Sequence, residues 1–145
     1  MAVGQRNDPF GGFNFLVEID GIALARFSEV SGLDSTIDVI EYREGGTNAT
    51  PRKLPGMTKY SNVTLKRGIT DNTELYEWHR DAVQGSVSRR NGSIVLLNLA
   101  GEEVTRWNFF EGWPTKYTGP DLNATGTEVA VETVEIAHEG LQKST

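Results

Sequence analysis

Apolar residues recurring at every second position, rather than every third or fourth, run through most of this 145-residue chain and commit it to strands. Phe13, Phe15, Val17 and Ile19 share one face, and Asp20-Gly21 supplies a two-residue turn into a second strand from Ile22 to Phe27. Ile37 and Val39 alternate with Thr36 and Asp38 in a third strand running to Tyr42, and the pattern resumes from Tyr60 to Lys66 with Val63 and Leu65 inward. Ser93 to Leu99 is different, because Ile94, Val95, Leu96 and Leu97 leave neither face polar, so this strand is predicted to be covered on both sides. Ala100-Gly101 turns it into Val104 to Phe110, with Trp107 and Phe109 on one face. In Glu128 to His138, Val129 and Val131 fall on one face and Val134 and Ile136 on the other, a phase slip that predicts a bulge or two buried faces.

Ala130, Val134, Ala137 and Leu141 also fit a helical stripe, but the density of Val, Thr and Ile there favours strand, so one segment is read as a helix. Asp71 followed by Glu74 has the spacing of an N-cap with its reciprocal acid, Leu75, Trp78 and Ala82 form an apolar stripe, and Gly85 ends it. The predicted fold is therefore mainly β with one α-helix: two packed antiparallel sheets of about six or seven strands, a sandwich or small barrel, with the helix flanking them. Residues 1–145 fit a single domain, 1–12 being flexible or interface-forming.

Charge is distributed unevenly. Between Arg43 and Arg67 the bases are Arg43, Arg52, Lys53, Lys59, Lys66 and Arg67 against the single acid Glu44, a net +5, whereas the whole chain carries −6. Within this stretch Gly45, Gly46, Pro51, Pro55 and Gly56 interrupt the alternation, so 43–57 reads as a projecting loop. A basic limb on an acidic body can bind copies of itself head to tail, since complementary fields orient such contacts. The plainer alternative is a solvated loop whose lysines protect an edge strand. The two-face apolar strands also need more cover than one helix supplies, and neighbouring copies could provide it.

The same composition excludes much. An acidic chain with a sequence pI near 4.9 is a poor match to a nucleic-acid binder held by phosphate contacts. The absence of cysteine removes disulfides, thiol catalysis and zinc–thiolate sites. His79 and His138 have no neighbour at metal-ligand spacing, and Asp34 and Asp38 would stand about 13 Å apart on one strand face, too far for paired-carboxylate hydrolysis. The Gly-Gly pairs lack the ending of a phosphate loop. No catalytic residue, cofactor site or metal site is therefore nominated, and no run approaches the roughly 18 apolar residues of a membrane span. A binding module remains as the alternative function, a soluble ligand-binding β-barrel with Trp107 and Trp113 lining a pocket.

Several ordered segments point further: Tyr42-Arg-Glu-Gly45, Lys53-Leu-Pro-Gly56, Lys66-Arg-Gly68, Trp78, Trp113-Pro114-Thr-Lys116, Leu122-Asn-Ala124 and Ala137-His-Glu-Gly-Leu141. Together they resemble the tail tube proteins of contractile phages, and most of all the Hcp-like inner tube proteins of extracellular contractile injection systems. The resemblance implies a structural protein without enzymatic activity, hexameric rings stacked into a tube, a surrounding sheath, baseplate and cap or terminator partners, and protein cargo or DNA in the lumen. It implies assembly in the bacterial cytoplasm within a phage tail or a tail-like particle that can be released. By position, 43–57 resembles the arm that contacts adjacent subunits, and the turn around Pro114 to Asn123 resembles a second interface loop. The interface residues expected on these grounds are Arg43, Glu44, Arg52, Lys53, Leu54, Lys66, Arg67, Lys116 and Asn123.

Overall fold

The computed structural model describes residues 8–25, 27–43, 45 and 50–144, which form ten strands and one helix. In chain order these are β1 (Phe15–Ile19), β2 (Ile22–Ala25), β3 (Glu29–Ser31), β4 (Ser35–Tyr42), β5 (Arg52–Tyr60) and β6 (Val63–Gly68). The helix α1 (Glu74–Val83) follows, then β7 (Arg90–Leu97), β8 (Glu103–Thr118), β9 (Val131–Ala137) and β10 (Gly140–Ser144).

All pairings are antiparallel, and eight strands make one sheet in the order β2-β1-β7-β8-β9-β6-β3, with β10 also on β8. The strand β8 is the hinge of this sheet. Its first half pairs with β7 and β10, its second half with β9, and Glu111, at φ 54, marks the bend between them. The bend lets the sheet close on itself: Val17 and Ile94 from one half meet Val63, Leu65, Val134 and Ile136 from the other in a single core around the fully buried Phe109. Helix α1 seals that core with Leu75 and Trp78, and the Trp78 indole N–H donates to the Ser88 carbonyl at 2.7 Å. The two packed layers and flanking helix of the sequence reading are thus one sheet folded over.

Local chemistry explains most boundaries. Asp20-Gly21 turns β1 into β2, with Gly21 at φ 75 where a side chain would be strained. Ile94 and Val95, consecutive and on opposite faces, are both buried, as the all-apolar run predicted. The helix starts later than the Asp71 reading: Thr73 is the N-cap, and the Asn72 side chain accepts the Glu74 amide at 2.9 Å. Phe13 lies outside β1 and is exposed. The phase slip at the last strand has two parts: β9 begins at Val131 and leaves Val129 exposed, and the β8–β9 ladder shifts register opposite Ile136 and Glu135, with the extra residue on β8 between Pro114 and Lys116. Five residues expected in a turn, Pro114 to Thr118, instead continue β8. Pro114 is tolerated there because this half of β8 pairs only with β9.

Candidate functional site

Among the described residues, the two strands outside the main sheet, β4 and β5, pair only with each other. They are nonetheless a prolongation of it. Across the break, Ser31 pairs with Thr64 and Ser35 with Tyr60, four residues on along each strand, so the offset of the β3–β6 ladder is carried into β4–β5 unchanged. Residues 52–57 of the segment expected as a loop over 43–57 are therefore strand, paired in the β4–β5 hairpin (Ser35–Tyr42 with Arg52–Tyr60). By local rules Pro55 and Gly56 break a strand. Both are accommodated because each strand of a two-stranded ribbon is an edge, and the register shifts by one residue beside them, between Ile37 and Val39.

This arm exposes apolar side chains on both faces. Cross-strand partners share a face, so Ile40, Leu54 and Tyr42 lie together with Arg52, while Ile37, Val39 and Pro55 lie on the other side with Lys53 and Glu41. Val39 is 62% exposed and Met57 72%. An isolated two-stranded hairpin is marginal in water, and one with large bare aliphatic groups on both faces asks for a covering surface.

The expected interface residues separate into groups. Arg43, Arg52, Lys53 and Leu54 are on the arm and exposed, and none of the three cations has an ion-pair partner among the described residues. Glu44 lies outside the described residues, as do residues 1–7 of the N-terminal segment. Lys66 faces away from the core in β6 and lies 3.7 Å from Glu29, and Lys116 in β8 lies 3.8 Å from Glu135. Asn123 is exposed in the connection after β8, where its side-chain oxygen accepts the Thr125 amide at 3.1 Å in a local turn. Arg67 is a core residue of the subunit: 3% exposed, it donates to Glu132 at 2.6 Å and to the Asn72 carbonyl at 3.0 Å. Its positive charge is neutralised inside the chain. Sequence could not separate Arg67 from its neighbours, because the signal that it is buried is Glu132, 65 residues away.

The outer face of the β3-β6-β9-β8 half is polar along its middle, with Val131 at one end and Trp113 and Ala137 at the other. It carries Thr64, Lys66, Thr133, Glu135, Lys116 and Thr118, and its four charges, with Glu29 included, fall into the two opposite-sign pairs above. Such exposed pairs add little stability, but they leave the face without net charge. Neither histidine stands alone: the His79 ring contacts the Pro114 carbonyl at 3.1 Å, and His138 contacts the Ser61 carbonyl at 3.0 Å, at the root of the arm. Among the described residues no group of three His, Cys, Asp or Glu side chains could hold a metal ion, and no helix is long and apolar enough to cross a membrane.

A folded-over antiparallel sheet with a single helix and a projecting hairpin defines the class of contractile-tail tube subunits. Residues 11–142 match the model of the T4-like virus tail tube protein family, gp19, and the chain belongs to that family. It is 32% identical to a chain in the extended sheath–tube complex of the PVC extracellular contractile injection system, over 94% of this chain and 91% of that one, with a TM-score of 0.85. It is also 32% identical to a chain in the tube-terminating cap of the anti-feeding prophage, over 100% and 99% of the two chains, with a TM-score of 0.87. Hcp1 from Flavobacterium johnsoniae, at 18% identity over 90% and 94% and a TM-score of 0.57, shares the fold. No curated protein sequence gives a significant match. The expected tube family is thus the family of this protein, a structural component of tail-like particles.

Proposed function

We propose that this chain is the inner-tube subunit of an extracellular contractile injection system or contractile phage tail, closing into hexameric rings that stack around a channel. The observation that carries this reading is the arm: a hairpin with apolar residues on both faces and unpaired cations, built as an extension of the main sheet. Arm and body are different surfaces, so their contact is head to tail, and such contacts close into rings or run on as filaments. The relative in the baseplate of the anti-feeding prophage, 25% identical, comes from a 6-fold symmetrised structure, which supports six as the ring number.

Within such a ring the charge-balanced face of β3, β6, β9 and the second half of β8 is the channel wall. A hydrated wall of threonines and paired charges offers no net field to cargo, so protein or DNA slides past it rather than being held. The sheath, the baseplate and a terminating cap are the partners, as in the particles that contain the relatives. The chain acts by polymerising and not by catalysis, and it assembles in the bacterial cytoplasm before release within the particle. Negative-stain microscopy of the purified protein tests this: stacked six-membered rings are expected, and monomers or open irregular polymers would contradict it.

A further inference from the structure

Ring closure requires a surface that receives the arm, and one concavity has the chemistry for it. A groove of about 300 Å³ opens between the two halves of the folded sheet, lined on one side by Val30 and Leu33 and on the other by Phe15, Leu96 and Trp107. All five side chains are only partly buried, so the core is left open along this seam. Its rim carries one uncompensated acid, the exposed Asp34 directly after Leu33, whereas Glu29, which also lines the groove, is paired with Lys66.

The arm's two faces differ in charge. Within the paired strands, Lys53 beside Val39 and Pro55 is matched by Glu41 directly opposite, so that face of the ladder is neutral. Beside Ile40, Tyr42 and Leu54, Lys59 is bonded to Asp38 at 3.0 Å, which leaves Arg52 as the uncompensated charge. One face of the arm therefore combines bare aliphatic and aromatic surface with a net positive charge, the complement of an apolar seam with Asp34 at its rim.

We propose that the Ile40–Leu54 face of one copy's arm seats in the Phe15–Trp107 groove of the next copy, with Arg52 against Asp34 at its rim. A second copy is the occupant because the chain's own arm cannot reach. Leu54 pairs with Ile40, seven residues beyond Leu33, which places it about 23 Å along an extended strand from the groove it leaves. The inference rests on the ring reading and names the contact that closes the ring.

The absence of cysteine makes the test direct. Leu54→Cys and Leu33→Cys are introduced singly and together, circular dichroism checks the fold, and assembled protein is treated with a short bismaleimide. The double variant is expected to give a ladder of covalently linked chains ending at the ring size, and peptide mapping should join residue 54 to residue 33; the single variants should give no ladder. A second pair, Ile40→Cys with Leu96→Cys, guards against a folding defect in the first. Rings that form normally but yield no 54–33 or 40–96 link, or links only within one chain, would overturn the groove assignment and leave the ring reading intact. Wild-type protein that never forms rings would overturn both.

Discussion

Arg67 and Glu132 face each other across the β6–β9 ladder, joined at 2.6 Å, with side chains only 4% and 7% exposed. Tyr117 donates its hydroxyl to the other Glu132 oxygen at 2.7 Å, Arg67 also reaches the Asn72 carbonyl at the start of α1, and its guanidinium lies 5.7 Å from the centre of the Phe27 ring. One ion pair thus ties the outer half-sheet to the helix. A buried pair is costly to break because the surviving charge has no water to turn to, so Arg67→Ala is expected to lose about 3–5 kcal/mol by denaturant unfolding. Arg67→Met with Glu132→Leu should recover most of that loss, since the two apolar side chains fill the site without stranding a charge.

Tyr117 gives the network a measurable pH dependence. Burial first, then the hydrogen bond and proximity to Glu132, push its hydroxyl up from 10.0 to about 12. The folded chain then holds this proton more tightly than the unfolded one, so the stabilisation is complete below pH 10 and is lost as pH rises toward about 12. Urea midpoints of the parent are expected to fall across that window, and Tyr117→Phe should flatten this part of the profile. An unchanged slope in Tyr117→Phe would assign the alkaline loss to other groups.

The root of the arm is set by a close backbone approach. Gly32 stands at φ 89 between β3 and β4, and a methyl group there would lie on the Asn62 carbonyl oxygen. Gly32→Ala therefore combines positive-φ strain, of order 1–3 kcal/mol, with a clash that only a shift of the arm relieves. The expected outcome is a lower melting temperature together with poorer assembly.

Much of this was legible in the primary structure. The Phe15–Ile19 alternation, the Asp20-Gly21 turn and the Leu75–Trp78 stripe need only local spacing, and each reports a real element. The arm was located but misdrawn: Pro55 and Gly56 signal a loop by local rules, whereas the β3–β6 register that carries strand pairing past them is a long-range property. Lys66 and Arg67 show the same limit from the other side. They are adjacent bases on opposite faces of one strand, and only the fold reveals that one is solvated and the other buried. The charge-balanced outer face likewise draws on four strands spread along the chain.

Reversing the arm's charge separates assembly from folding. Arg52 and Lys53 are exposed and outside the core, so Arg52→Glu with Lys53→Glu is expected to leave the melting temperature of the subunit nearly unchanged. At an interface with an acidic neighbour the same change sets like charges together, which costs several kcal/mol and is repeated at every subunit. Micrographs of this variant should show dispersed protein where the parent shows tubes. Normal tubes would make the arm's charge irrelevant, and an unfolded variant would place these residues in the core.

The most direct test of the assembly reading is light scattering with electron microscopy on the purified parent chain across a wide concentration range. The account predicts discrete six-membered rings that lengthen into straight tubes as concentration rises, without added partners. A single monomeric species at the highest concentration, its arm exposed and uncovered, would contradict it.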